Sequence, residues 1–464
     1  MKALELEDTI AAIATPPGRG AIGVIKISGD KALSILEKIF TPKRKLSSFE
    51  SHRFYYGFIT DPETKERVDE VLVVYMRKPH SYTREDVVEI HGHSGYFNLR
   101  KILELVFKYG ARPAEPGEFT LRAFLNGRID LSQAEAIEEI ISARCEKALQ
   151  MAMQTLSGKL SEKVQSLREK LLMALAQVES AIDFPEEDIE IMNPSALSSF
   201  IREEILKSIN DLIESYREGR IYKEGISLVI SGKPNVGKSS LMNALLREER
   251  AIVTPIPGTT RDFLEEEAYI HGLPVKLIDT AGLRETEDLV EKIGIERALQ
   301  KLEEADLVLY IIDVSSKPTD EDLKLYERIK AYPHLVVLNK IDLKPNFLQN
   351  WEELFSSLGE EYIPLSVKEG LNLEVLSQRI FDKITGEKGG LTSEVVPNLR
   401  QKISLEKAKF HLEEALKELT KPEPLPELVS VELRGALSSL TEIIGEVTTE
   451  DLLTEIFSRF CIGK

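Results

Sequence analysis

The chain has little cysteine or tryptophan, fewer basic than acidic residues, and no long apolar run. Two cysteines, Cys145 and Cys461, stand among 464 residues, too few for a disulfide framework or a cysteine-based zinc site. No apolar stretch approaches the roughly 20 residues that cross a bilayer, and the start Met-Lys-Ala-Leu-Glu-Leu-Glu has no signal-peptide core. A cytoplasmic protein with no membrane role is therefore expected. The 60 Lys+Arg against 78 Asp+Glu leave a net charge of -18, which excludes a surface coated in basic residues for generic nucleic-acid binding. Any RNA contact then needs a local patch. Lys43-Arg44-Lys45, Arg112, Arg122, Arg128 and Arg144 gather as candidates, set against the plainer reading of scattered solvated charges.

What is present begins with Gly232-Lys-Pro-Asn-Val-Gly-Lys-Ser239, directly after the apolar run Ile226 to Ile230. A strand feeding a Gly-rich turn into a helix aims backbone N–H groups at a phosphate. Asn235, Val236, Gly237, Lys238, Ser239 and Ser240 make that turn, with Lys238 reaching the terminal phosphates and Ser239 a ligand for Mg2+. Asp279, Thr280, Ala281 and Gly282 end a second strand pattern, where a carboxylate can hold a Mg2+ water and the Gly282 N–H can meet the γ-phosphate. Asn339, Lys340 and Asp342 close the run Leu335 to Leu338. The Asp342 carboxylate can accept from N1–H and the exocyclic amine of guanine, a donor pair that adenine lacks, so the nucleotide is GTP. Ser366, Val367 and Lys368 follow a short strand, Tyr362 to Leu365, where a backbone N–H would face guanine O6. Four motifs in this order and spacing make coincidence improbable.

One position lacks its usual occupant. Leu283 follows the Asp-x-x-Gly motif where many GTPases place the Gln that orients the attacking water. Hydrolysis must be assisted from elsewhere, and Glu285, Glu287, Asp288 and Glu291 lie in the next segment. From spacing alone, any of them could orient water, or the run is simply a solvated loop. Asn235 is also open to two readings: a turn residue tolerant of unusual backbone angles, or a side-chain ligand for a monovalent cation that supplies the charge an arginine provides elsewhere. The candidate first switch, Thr254, Pro255, Ile256, Pro257, Gly258, Thr259 and Thr260, could close over such a cation through Thr254, Ile256 and Thr259, with Thr260 as the second protein ligand for Mg2+.

The length suits about three domains. Residues 1 to 118 have an α+β pattern, with strand-like Ala21 to Ser28, Val68 to Met76 and Val87 to His91 and a helical Lys31 to Phe40. Glu89, His91 and His93 alternate on one strand, as a metal site or as ordinary polar residues. Helical periodicity follows. Ile137, Ile140, Ile141, Ala148, Ala152 and Leu156 are expected on one helix face, and Leu160 to Ile182 on another, ended by Pro185. The helical pattern returns in Leu405 to Leu419, Leu433 to Ile444 and Leu452 to Phe460. The economical topology is multidomain: an N-terminal domain 1–118, a helical bundle in two parts, 119–218 and 385–464, and an α/β P-loop GTPase domain, 219–384, inserted between them. The chain finishes Phe460-Cys461-Ile462-Gly463-Lys464. Cys461 is either a residue of a fraying tail or, if the tail tucks into a pocket, a nucleophile, with Lys464 an anion contact.

Asp8-Thr9-Ile10, Ala14 to Gly20, Ala123-Phe124-Leu125-Asn126, the GTPase motifs, Ile293 to Ala298 and the terminal Cys-Ile-Gly-Lys together resemble the tRNA-modifying GTPase family MnmE, also called TrmE. The likeness runs essentially end to end. It implies an N-terminal folate-binding and dimerisation domain, and a homodimer that works as a heterotetramer with a flavin (FAD)-dependent partner, MnmG or GidA. Together they install an aminomethyl-type group, aminomethyl or carboxymethylaminomethyl, at C5 of the wobble uridine in certain tRNAs. A reduced folate, 5,10-methylene- or 5-formyl-tetrahydrofolate, supplies the carbon, and glycine or ammonium the nitrogen. By position the folate contacts would be Lys26, Glu89, Arg128 and Lys464, with Lys26 and Arg128 exchanging the Arg and Lys of the pattern. The resemblance further implies that Glu291 orients the hydrolytic water. K+ held by Asn235 and the first switch would replace an arginine finger when two GTPase domains meet, and Cys461 would take part in the modification chemistry. A ribosome-assembly GTPase switch is the alternative from another class, served by the same nucleotide motifs but not by residues 1–120 or the terminal tetrapeptide. A pure signalling GTPase leaves most of the chain unexplained.

Overall fold

The structure, a computed structural model, describes residues 8–16, 18–183, 193–248, 265–279, 302–343, 347–386 and 394–464. It divides into two compact units. The first comprises residues 1–141, 152–211 and 399–464, the second 142–151 and 212–398.

The first unit is built on a sheet of β1 (Ile10–Ile13), β2 (Ile22–Ser28), β3 (Phe40–Pro42), β4 (Arg53–Thr60), β5 (Arg67–Met76), β6 (Val87–His93) and β7 (Arg112–Pro113), in the order β3-β4-β5-β6-β2-β1-β7. Strand side chains alternate between faces. Ile25 and Ile27 of β2 and Val88 and Ile90 of β6 therefore bury against the helices Ala32–Ile39 and Tyr96–Lys108, while Lys26 and Glu89 take the other phase. Antiparallel register pairs Lys26 with Glu89 directly. The helical part follows the same logic with a period of three and four. Leu160, Val164, Leu167, Leu171, Leu175 and Val178 line one stripe of Lys159–Asp183, and that helix packs on Pro426–Ile444, which packs in turn on Leu399–Leu419. The short helix Glu450–Ser458 and Phe460 bury against Leu121, Leu131 and Ala134.

The expected single helix face from Ile137 to Leu156 is interrupted. The structure has two helices, Leu131–Ser142 and Glu146–Leu156, and Ile141 is exposed. The break frees residues 142–151 to join the second unit, where Met151 packs beside Tyr222, Ile226 and Val275 and Cys145 packs against the same core.

The second unit holds β8 (Ile226–Ser231), β9 (Glu265–Ile270), β10 (Leu273–Asp279), β11 (Leu307–Asp313), β12 (His334–Asn339) and β13 (Tyr362–Leu365), in the order β13-β12-β11-β8-β10-β9. All pair in parallel except β9 with β10. The central strands are apolar at nearly every position because both faces are covered. Leu228, Ile230, Leu309, Ile311 and Val337 enter one core, and Val229, Val308, Tyr310, Ile312 and Leu338 the other. In such a sheet the loops after the C-terminal strand ends form the binding edge. That edge receives the residues after β8, β12 and β13.

Candidate functional site

In the second unit, residues 232–237 leave the end of β8 and enter the helix Lys238–Glu248. Gly237 has φ 106, and a Cβ there would lie 2.5 Å from Asn339 Nδ2, so only glycine permits this close passage. Asn235 sits at φ 63, the left-handed conformation that Asn tolerates better than most residues. The buried Lys238 ammonium donates to the carbonyls of Gly232 (2.9 Å) and Lys233 (2.7 Å). The guanine motif braces the far arm of the loop. Asn339 Nδ2 donates to Val236 O (2.8 Å), and Lys340 Nζ donates to Asn235 O (2.8 Å) and Asp313 Oδ2 (2.6 Å). Burial raises the Asp313 pKa, but hydrogen bonds from Lys340 and Ser315 outweigh it and hold the carboxyl below its ordinary value. Asn339 Oδ1 accepts from Val367 N (3.2 Å), and Ser366 Oγ donates to Asp342 Oδ1 (2.7 Å). The last two loops of the edge are thereby fixed with Asp342 oriented, as base recognition requires. Ser239 and Ser240 open the helix on its exposed side, and Lys368 is exposed.

The structure thus brings together Asn235 to Ser240, Asn339, Lys340, Asp342 and Ser366 to Lys368. The Asp279 side chain, Thr280, Ala281, Gly282, Thr254 to Thr260, Leu283, Glu291 and Ile293 to Ala298 lie outside the described residues.

In the first unit a second cluster forms from four separated segments. Lys26 Nζ stands over the rings of Tyr82 (5.0 Å to the centroid) and Phe119 (5.3 Å), and the Arg128 guanidinium over Tyr82 (4.6 Å). The Tyr82 hydroxyl hydrogen-bonds Thr120 Oγ1 (2.8 Å). Phe119 N donates to Lys464 O (3.1 Å), which seats the tail beside this helix. Gly463 is buried at φ 95, and a Cβ there would lie 2.8 Å from Ala14 Cα and Ile13 O. Burial lowers the Lys26 pKa. Glu89 works against that shift, while the charges of Lys464 and Arg128 add to it. Glu89 is held below the usual carboxylate range by the hydrogen bond from His91 Nε2 (3.2 Å), against its own burial and with help from Lys26. Lys26, Glu89, Arg128 and Lys464 therefore share one electrostatic environment. Three basic side chains against the single carboxylate side chain of Glu89, set on Tyr82 and the fully buried Phe119, suit an anionic ligand. Tyr82, Phe119 and Thr120 carry no sequence signal that would single them out.

Other candidates resolve differently. His91 is occupied by Glu89, and His93 Nδ1 by Asp69 Oδ1 (2.7 Å); among the described residues no group of three His, Cys, Asp or Glu could hold a metal ion. The expected basic patch is not borne out for Arg112, Arg122 and Arg144, each of which is taken up by carboxylates. Arg122 is not solvated but wholly buried, donating to Asp8 Oδ1 (2.5 Å), Glu85 Oε1 (3.1 Å) and Glu118 Oε1 (2.9 Å). Arg112 is tied to Asp8 and Glu118, and Arg144 pairs with Glu267 (2.7 Å) within the second unit. Cys145 Sγ lies 3.5 Å from Tyr222 O, Cys461 is exposed, and both are free thiols. Among the described residues no helix is long and apolar enough to cross a membrane.

A phosphate loop braced by an Asn-Lys-x-Asp motif, at the edge of a mostly parallel sheet, defines a P-loop GTPase. Two family models match the chain: "MnmE helical domain" over residues 131–461 and "GTP-binding protein TrmE N-terminus" over residues 9–128. Curated relatives named tRNA modification GTPase MnmE include those of Carboxydothermus hydrogenoformans, 46% identical over 99% of this chain and 100% of that one, and of Alkaliphilus oremlandii, 47% identical over 99% and 100%. Among solved structures, a variant of Aquifex aeolicus Era bound to GDP.AlF4- aligns at 32% identity over 43% of this chain and 69% of that one, with a TM-score of 0.29. The chain belongs to the MnmE family of tRNA modification GTPases.

Proposed function

We propose that this GTPase acts, with a flavin-dependent partner, in adding an aminomethyl-type group at C5 of the wobble uridine of certain tRNAs, with a reduced folate as one-carbon donor. One observation supports the reading: Glu89, Arg128 and Lys464, far apart in sequence, all lie within electrostatic reach of Lys26, which with Arg128 stands over Tyr82. The carboxylates of a folate would meet Lys26, Arg128 and Lys464, whose positions the Tyr82 and Phe119 rings help to set. Glu89 supplies an acceptor for ring N–H groups. Residues 1–118 would hold the homodimer contact and, completed by Arg128 and Lys464, this site; 119–218 with 385–464 would form the helical arms, and 219–384 would run the nucleotide cycle.

For hydrolysis, Glu291 would orient water in place of the missing Gln, while Mg2+ would be held through Ser239 and Thr260. K+ would be held by Asn235, Thr254, Ile256 and Thr259. Its chemistry when bound is positive charge beside the bridging phosphates, and a neutral amide oxygen on an exposed left-handed turn suits a weakly hydrated alkali cation. Hydrolysis drives a conformational cycle and need not touch uridine. The test has three arms. Full-length protein should bind 5-formyl-tetrahydrofolate by calorimetry and lose at least about tenfold in affinity with Lys26→Ala. GTP turnover should fall when Na+ replaces K+ at equal ionic strength. Nucleoside analysis of tRNA from cells with Cys461→Ser should show unmodified wobble uridine. Unaltered folate binding in Lys26→Ala would sink the donor site, cation-indifferent turnover the K+ role, and intact modification the thiol's role.

A further inference from the structure

Gly232 and Lys233 carry the carbonyls that aim the phosphate-binding Lys238 ammonium. The far arm of the loop is held by the guanine motif, so the near arm needs its own restraint. That restraint is the Lys233 side chain. Its ammonium donates to Thr319 Oγ1 (2.5 Å) and Asp322 Oδ2 (2.8 Å), with Glu321 at 3.5 Å. Thr319 and Asp322 are the capping box of the helix Asp320–Ile329. The Asp322 carboxylate also accepts from Thr319 N (3.0 Å) and Thr319 Oγ1 (2.7 Å), and the Tyr310 hydroxyl of β11 donates to Asp322 O (2.9 Å). The receiving socket is therefore rigid and joined to the core, and the Asp322 side chain is only 10% exposed. A charge-assisted bond into such a socket is stronger than an ordinary surface pair.

We propose that Lys233 is a positioning residue for nucleotide binding, fixing the carbonyls that orient Lys238 by anchoring the near arm of the phosphate loop to the Thr319–Asp322 box. It touches no phosphate itself. Freed from the box, the near arm must be ordered by each incoming nucleotide, which weakens ground-state binding. Once nucleotide is bound, Lys238 is back in place and the chemical step is little changed.

The experiment uses the full chain, with GDP affinity from calorimetry and kcat and KM for GTP. Lys233→Met keeps the aliphatic stem and removes the donor. Its GDP Kd and GTP KM should rise about tenfold, which is ~1.4 kcal/mol, with kcat within about twofold. Lys233→Arg should restore both values. Asp322→Asn keeps a capping oxygen and removes the charge, so it should weaken GDP binding comparably, and the double variant should be no worse than the weaker single. A Lys233→Met protein with unchanged GDP affinity overturns the proposal, as does additivity of the two losses. A lowered melting temperature with unchanged affinity also overturns it, leaving a stability brace only. If Lys233→Met does not fold, Asp322→Asn decides alone by the same Kd criterion.

Discussion

Replacing Arg122 by Met tests how the tail-docking cluster is supported. Arg122 is fully buried and holds Asp8, Glu85 and Glu118, while Arg112 shares Asp8 and Glu118. Two guanidinium groups thus face three carboxylates. Without Arg122 one cation faces three anions, of which Glu118 is 1% and Glu85 13% exposed. Removing one partner of a buried ionic network costs about 3–5 kcal/mol, chiefly by stranding the remaining charges. Met fills much of the stem volume, so little of the loss comes from a cavity.

The single tryptophan, Trp351, lies in the GTPase unit, so its fluorescence should not register the loss. Hydrogen exchange of the helix Glu118–Leu125 in the full chain should, with protection falling roughly 10²- to 10⁴-fold at pH 7. Acid gives the second check. Burial raises the Asp8 and Glu118 pKa values, but Arg112 and Arg122 outweigh it and hold both below their ordinary values of 3.8 and 4.5. Their contribution to stability is complete above those values and is lost as pH falls through the depressed folded ones. In the variant the burial that raises these pKa values is less opposed, so protonation relieves the stranded charge earlier. The gap between parent and variant must therefore narrow as pH falls from neutrality toward the ordinary carboxylate range. A loss under about 1 kcal/mol at pH 7, or a gap independent of pH, would refute the network's role.

Glu291→Ala should leave GDP affinity within about twofold and slow GTP turnover by roughly 10² or more; normal turnover measured by phosphate release removes its assignment. Gly463→Ala places a methyl group against Ala14 and Ile13 and should weaken calorimetric 5-formyl-tetrahydrofolate binding about tenfold without altering GDP binding. Equal folate affinity would mean that the tail's seat is irrelevant to the site. Asp342→Asn exchanges an acceptor pair for an acceptor and a donor, so GDP binding should fall about 10²-fold and xanthosine diphosphate should gain; retained GDP preference refutes base readout by Asp342. Because Lys26 is held below the ordinary lysine range, folate affinity should decline with rising pH before free lysine would titrate. Lys26→Met should abolish that decline, and a parallel decline in the variant assigns it to another group.

Much of the GTPase unit is legible in sequence because its chemistry is local. Eight consecutive residues specify the phosphate loop, and the apolar runs Ile226 to Ile230 and Tyr362 to Leu365 end where the structure ends β8 and β13, to within a residue. The basic cluster of the first unit has no such local signature. Lys26, Arg128 and Lys464 meet only after β2, the turn following the helix Glu118–Leu125 and the tail have packed, and family resemblance alone points to them. Tyr82 and Phe119 are invisible because an aromatic residue near a Thr reads as core. Arg122 reads as part of a basic patch because sequence gives charge without burial; its partners Asp8 and Glu85 are 114 and 37 positions away. The break at residues 143–145 is hidden for a related reason. Ala148 and Ala152 keep helical spacing with Ile137 and Ile141, and only packing with Tyr222 and Ile226 shows that the chain changes units there.

The two lysine environments show why residue type alone underdetermines a site. Lys238 is buried among carbonyls of its own loop, acceptors that replace the water an ammonium loses, so the charge is kept and aimed. Lys26 is half-buried against aromatic rings and shares its surroundings with Arg128 and Lys464, offset by Glu89. There the charge is disfavoured, and a carboxylate ligand of the proposed kind would relieve it by supplying counter-charge. The first arrangement has its acceptors within its own loop; the second leaves a repulsion that binding of the proposed ligand would remove. A sequence shows a lysine in either case, and only the partners that the fold delivers decide which kind of site it makes.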